Sequence, residues 1–193
     1  MRIENTIIHL LGFPGAGKLT VAQEIVKQAE GSIRLVDNHL INNPLFSLIR
    51  QDGKTKLDPR IWLNVRMIWD AVADTMVNIA PKEFSFVLTN ALVEDDEDDR
   101  NHMEKIRGVA AARGGKYVPV RLLVTDPEEH IRRITTASRS ARMKETNPEA
   151  PLRYAKREVL KTGDARELTL DITRMGADEA AGRILGHTEK TEI

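Results

Sequence analysis

The sequence predicts an α/β fold built on a five-stranded parallel sheet flanked by helices. Two observations carry this. Apolar runs of strand length alternate with longer stretches of helical period along the whole chain. The first strand runs directly into a glycine-rich loop and then a helix, the arrangement by which such sheets hold phosphate groups. Composition agrees: 193 residues, 41% hydrophobic and 30% charged, make one domain over 1–193 with a sizeable core rather than a disordered or fibrous chain.

The strands are expected at Thr6–Leu11, Ile33–Val36, Phe84–Leu88, Tyr117–Val124 and Leu168–Ile172. After the first, Leu19, Ala22, Val26 and Ala29 form the apolar stripe of a helix. After the second, Asp58-Pro59 gives a cap and a first-turn proline. Trp62, Val65, Trp69, Val72 and Met76 then recur at spacings of three and four, so one long helix is expected. Asp126-Pro127-Glu128-Glu129 opens another helix. Asn147-Pro148-Glu149 opens a further one, expected to reach about Lys161. A final strand and helix occupy Leu168 to Leu185.

Composition also excludes classes of function. Lys plus Arg equals Asp plus Glu at 29 each, so there is no global basic field to attract nucleic acid. The absence of cysteine removes disulfides, thiolate metal sites and cysteine nucleophiles. No run approaches the roughly 18 apolar residues of a membrane span, and the N-terminus is too short and interrupted for a signal peptide. The chain is therefore read as complete and cytoplasmic, with no membrane partner.

Charge is patterned locally. Glu94 to Asp99 is six acids in a row between a strand end and a helix, which reads as acids complementing a helix N-terminus, with a magnesium role as the alternative. Residues 132–157 carry eight cations against two acids. Within them, Ser138-Arg139-Ser140-Ala141-Arg142-Met143-Lys144 lies between two helix signals and reads as a cationic loop, with a solvated surface as the alternative.

The decisive motif is Gly12-Phe13-Pro14-Gly15-Ala16-Gly17-Lys18-Leu19-Thr20. Closely spaced glycines let successive backbone N–H groups converge on phosphate oxygens at a helix N-terminus, and Lys18 adds a point charge for the outer phosphates. Gly12, Pro14, Gly15, Ala16, Gly17, Lys18, Leu19 and Thr20 are thus the expected nucleotide-binding residues. The usual hydroxyl after the lysine, a direct Mg²⁺ ligand, is replaced by Leu19 and appears one residue later at Thr20.

On these residues the chain resembles the adenylate kinases and related P-loop kinases, which also carry Gly-Lys-x-Thr. It further resembles, by order of elements, the nucleoside-monophosphate, shikimate and gluconate kinases and the chloramphenicol phosphotransferases. The resemblance implies ATP as donor, Thr20 on an inner phosphate, and Mg²⁺ held largely through water with no protein metal ligand. It implies a substrate-handling acid at the end of strand two, matched by Asp37 followed by Asn38 and His39. It also implies a helical acceptor-binding insertion over 39–80, with Arg60 and Arg66, and an Arg-bearing lid over 138–147. Thr173 to Gly176 would lie beside the adenine.

Phosphoryl transfer needs positioned cations and a group that orients or deprotonates the acceptor. Lys18, Asp37, Arg139 and Arg142 are the expected catalytic residues, with Lys144 as a further lid cation. Asp37, Asn38, His39, Arg66 and Asn90 are the expected substrate contacts. For Asp37 the alternative is a helix-capping turn residue. Asn90 sits at a carboxyl strand end, where open sheets place ligands. The expected activity is transfer of the γ-phosphoryl group of ATP to a hydroxyl or phosphate of a small molecule, by a monomer or homodimer. The alternatives are a nucleotide-binding regulatory protein without transfer and a kinase of polynucleotide ends. No asparagine is followed by lysine, which disfavours a GTPase, and strand three lacks the terminal Asp-Glu expected of motor ATPases.

Overall fold

A computed structural model describes residues 3–49, 57–136, 147 and 149–192. Five parallel strands form one sheet: β1 (Thr6–Leu11), β2 (Ile33–Asp37), β3 (Ser85–Asn90), β4 (Lys116–Leu123) and β5 (Leu168–Asp171), in the order β2-β3-β1-β4-β5. Each strand matches its expected position to within one or two residues. All six residues of β1 and of β3 are buried, as expected for strands covered on both faces.

Seven α-helices are described: α1 (Lys18–Gln28), α2 (Asn38–Phe46), α3 (Ile61–Asp74), α4 (Glu97–Arg113), α5 (Pro127–Ile134), α6 (Ala150–Tyr154) and α7 (Ala177–Lys190). Alternation along the strands divides the core in two. Ile8, Leu10, Val87, Val118, Val120 and Leu122 face α1 and α7, where Ala22, Ile25, Ala181 and Ile184 complete the packing. Ile7, Phe86, Leu88 and Tyr117 face the other way, against Trp69, Met76, Ile106 and Val109 of α3, α4 and the turn between α3 and β3.

The α3 stripe is used as its spacing requires: Val65, Trp69, Val72 and Met76 pack inward, while Trp62 is 42% exposed. The start differs in detail. The helix begins at Ile61, and Asp58 instead accepts a hydrogen bond from the Arg60 backbone N–H (2.9 Å) in a tight lead-in turn. At its far end α3 widens into a π-helical turn over Thr75–Ile79, closed by Ala80 N–H donating to Thr75 C=O (2.8 Å).

Two expectations are corrected and a third holds. The buried face of α1 is Val21, Ala22 and Ile25, with Ala29 just beyond, so Leu19 turns away from the core and lines the cleft described below. The helix expected from Asn147 to about Lys161 is five residues long. Its sequel leaves helical form because Val159 and Leu160 are apolar and bury against Leu11, Leu92 and Met103, with Val159 bridging antiparallel to Val93. The acidic run, finally, opens α4 as its helix-capping reading requires. The Asp96 side chain accepts from Asp99 N–H (3.2 Å), Asp99 accepts from Val93 N–H (2.8 Å), and Glu94 and Asp95 pair with Arg100 and Arg157.

Arg113, at the end of α4, ties the other end of this layer together. It is buried, and its guanidinium donates to the carbonyls of Met76, Pro81 (2.8 Å), Lys82 (3.1 Å) and Phe84 (2.9 Å) and to Asn5 Oδ1 (3.2 Å). One side chain thereby satisfies four carbonyls of the π-helical turn and of the connection from it to β3. Replacing Arg113 by Leu orphans these acceptors and is expected to cost about 3 kcal/mol. Urea unfolding at pH 7 reads the shift.

Candidate active site

The carboxyl ends of the strands converge on one cleft because β1 lies between β3 and β4, the point at which a doubly wound sheet opens a crevice. Its walls are the loop after β1, the end of β2, the end of β3, and residues of α5, α7 and the β5–α7 connection.

The loop after β1 takes the shape its glycines permit. Gly15 and Gly17 lie at φ +93° and +74°, a region that side chains with a Cβ rarely enter, and Gly17 is the residue from which α1 starts. The backbone thus brings successive amides to the helix N-terminus, where the dipole also favours an anion. Lys18 Nζ bends across the loop and donates to Gly12 C=O (2.6 Å) and Phe13 C=O (3.1 Å). Pro14, Gly15, Gly17, Lys18, Leu19 and Thr20 line the cleft. Gly12 and Ala16 are buried behind it. These groups fit the phosphates of a nucleotide.

On the opposite wall, Asp37 is buried, and its Oδ1 accepts a short hydrogen bond from Thr89 Oγ1, which in turn accepts from Asn38 N–H (3.2 Å). The β2–β3 register that pairs Asp37 with Thr89 makes this contact. Asp37, Asn38, His39 and Asn90 all line the cleft, as the sequence suggested. The Asp37 side chain makes no capping bond to α2, which removes the turn-capping reading.

Arg66 is exposed on α3 and does not line the cleft, and exposed Arg60 is paired with Asp58. Arg139, Arg142 and Lys144, with nearly all of the lid segment 138–147, lie outside the described residues. Among the described residues no group of three or more His, Asp or Glu side chains is placed to hold a metal ion.

Three features of the site were not anticipated. His130 of α5 donates from Nε2 to Pro14 C=O (2.7 Å), and Phe13 stacks on Tyr154 of α6 (4.7 Å, 9°), so both helices brace the loop from behind. Arg132 and Arg133 line the cleft at the end of α5. Both grip Glu129, whose carboxyl they hold down at about 2, and Arg133 also donates to the carbonyls of Ile172 and Thr173 (both 2.9 Å). Behind Asn90 stand two histidines, His9 and His102. Arg132 and Arg133 have a sequence signal in the basic stretch 132–157, and His130 has one in its place in the first turns of a helix after strand four. The others depend on contacts between distant segments.

Burial holds both histidines neutral, His9 at about 3 and His102 at about 4 against an ordinary 6.5; the neighbouring His102 lowers His9 further, as Lys105 does His102. In the unfolded chain each takes up a proton below about pH 6.5, while the native state stays neutral. Stability is therefore expected to fall as pH drops from about 6.5 to about 4. A His102→Gln variant should show a shallower fall, by up to about 1.4 kcal/mol per pH unit. Urea midpoints between pH 7.5 and 4.5 measure both.

Known structures share this architecture. A gluconokinase from Sinorhizobium meliloti superimposes with a TM-score of 0.63 at 14% identity, covering 98% of this chain and 94% of that one. The APS kinase CysC of Mycobacterium tuberculosis, in complex with AMPPNP and APS, gives 0.60 at 15% identity over 97% and 99%. A shikimate kinase from Acinetobacter baumannii, in complex with shikimate, gives 0.55 at 18% identity over 96% and 95%. No family model and no curated protein matches the chain. The chain shares the fold of these three kinases. Among the described residues no helix is long and apolar enough to cross a membrane.

Proposed function

We propose that this protein is an ATP-dependent phosphotransferase that moves the γ-phosphoryl group to a hydroxyl of a small molecule. The observation that carries the reading is the buried Asp37 carboxylate, held by Thr89 on the wall of the same cleft that the Gly12–Thr20 loop forms. The kinase fold of the structural neighbours supports it.

The chemistry follows from the residues. The loop amides of Gly15 to Thr20 and the α1 dipole hold the donor phosphates, and Lys18 turns from the loop carbonyls to the outer phosphates as they arrive. Mg²⁺ accompanying the nucleotide would neutralise phosphate charge, with the Thr20 hydroxyl and the Asp37 carboxylate as nearby oxygens. Asp37 Oδ1 is engaged by Thr89, which leaves Oδ2 to orient the acceptor hydroxyl and receive its proton. Arg132 and Arg133 contribute positive charge at the α5 end of the cleft.

A hydroxyl acceptor fits better than a phosphate. Among the described residues the acceptor wall consists of Asp37, Asn38, His39, Thr89 and Asn90, which are hydrogen-bonding groups and one anion, without Arg or Lys. Carboxylate and carboxamide groups pair with hydroxyls, whereas phosphates call for guanidinium. ADP release from Mg·ATP with gluconate, shikimate, neutral polyols and nucleoside monophosphates tests this. Stimulation by a hydroxyl compound is expected, and stimulation by the monophosphates alone would overturn it.

Two substitutions separate the roles. Lys18→Ala is expected to weaken ATP binding and abolish transfer with the fold retained; equal ATP affinity would contradict the donor site. Asp37→Asn is expected to lower turnover by about 10²- to 10³-fold while leaving ATP affinity unchanged. Titration calorimetry and steady-state kinetics give both numbers.

A further inference from the structure

A hydrogen-bonded chain runs from the centre of the sheet to the floor of the cleft. His9 lies in the middle of β1, fully buried on a strand that is otherwise almost wholly apolar. Such a ring costs desolvation free energy unless its nitrogens are paired. Both are: Nδ1 lies 2.9 Å from the Tyr117 hydroxyl and Nε2 lies 3.1 Å from Asn90 Oδ1. Beyond Asn90, its Nδ2 lies 3.3 Å from His102 Nε2 and 3.5 Å from Asn38 Oδ1. The His102 ring is set edge-on against Trp69 at 5.0 Å.

The chain has one direction that satisfies every proton. Burial keeps His9 neutral at about 3 and raises the Tyr117 phenol above its ordinary range, so each group carries a single polar hydrogen. The Tyr117 hydroxyl donates to His9 Nδ1, and His9 Nε2–H donates to Asn90 Oδ1. In the reverse direction the buried Tyr117 proton would have no acceptor among the described residues. With Oδ1 held by His9, Asn90 must present Nδ2 on the side of Asn38, where both residues line the cleft. The contacts that Nδ2 makes there are long enough for an incoming oxygen to replace one.

We infer that His9 and Tyr117 are positioning residues that act through Asn90, fixing its carboxamide so that Nδ2 donates to an oxygen of the acceptor next to the hydroxyl that Asp37 orients. This inference rests on the proposed hydroxyl-phosphorylating reading. It also narrows the acceptor to molecules that carry a second hydrogen-bond-accepting oxygen beside the reacting hydroxyl, as vicinal diols and hydroxy acids do.

The experiment has two arms. In the first, the ¹⁵N spectrum of the full chain labelled at histidine should show His9 as the neutral Nε2–H tautomer from pH 7.5 to 5. An Nδ1–H tautomer, or titration near 6.5, would overturn the inference without any variant. In the second, ADP release from Mg·ATP is measured with the best acceptor of gluconate, shikimate and neutral polyols, or with water if none exceeds it. Tyr117→Phe and His9→Leu are each expected to reduce kcat/KM for the acceptor roughly tenfold with nucleotide affinity unchanged, and neither should reduce it further in an Asn90→Ala background. His9→Gln, which keeps one donor and one acceptor, should retain most of the activity. If Asn90→Ala leaves turnover intact, the acceptor-wall reading fails. If Asn90→Ala is impaired but Tyr117→Phe and His9→Leu are not, or their losses add to it in full, the positioning inference alone is wrong.

Discussion

The turn from β1 into α1 is the constraint on which the rest of the structure depends. A parallel strand at the centre of a sheet ends with its carbonyls and the following amides at one edge, and the chain must reverse there into a helix that covers the face. Gly15 and Gly17, at positive φ, make that reversal possible within a few residues. Because β3 and β4 flank β1, the same edge gathers Asp37, Thr89 and Asn90 from one side and the β4 and β5 ends from the other. The loop is supported from behind by His130 and by the stacked pair Phe13 and Tyr154, so its amides are presented before a ligand arrives. Preorganised donors of this kind are the main resource available to a phosphoryl-transfer site.

The two walls of the cleft differ in electrostatic character. The donor wall offers amides, a helix dipole and Lys18, with Arg132 and Arg133 at the α5 end. The acceptor wall offers a carboxylate, carboxamides and a hydroxyl, backed by neutral histidines rather than cations. On the proposed reading, this division places anionic phosphate on one side and hydroxyl groups on the other. The buried polar groups of the acceptor wall reduce the stability a fully apolar sheet would have, and they give in return a defined direction to each hydrogen bond near the acceptor.

What was legible in the sequence was local. The Gly12–Thr20 motif, the five strands and the Asp126-Pro127 cap are set by neighbouring residues, and the Asp126 side chain does accept from the Glu128 and Glu129 amides (2.9 and 3.3 Å). Asn90 was legible because strand ends in a parallel sheet share an edge, and Asp37 through the resemblance, which implies an acid at the end of strand two. The helix signalled by Asn147-Pro148 stops well short of Lys161, where Val159 and Leu160 bury instead against Leu92 and Met103. Periodicity sets Leu19 on the apolar stripe but does not reveal where a helix begins to face a cleft. Arg113, His9 and Tyr117 left no signal, since their partners are tens of residues away, up to 108 in sequence.

The most direct measurement of the central claim is the amide hydrogen exchange of Gly15 to Thr20 in the full chain with Mg·ATP, compared with adenosine at the same concentration. If the loop is a phosphate cradle, ATP slows exchange of these amides strongly and adenosine does not. Unchanged exchange with ATP, or equal protection by adenosine, would contradict the donor site and the phosphotransferase built upon it.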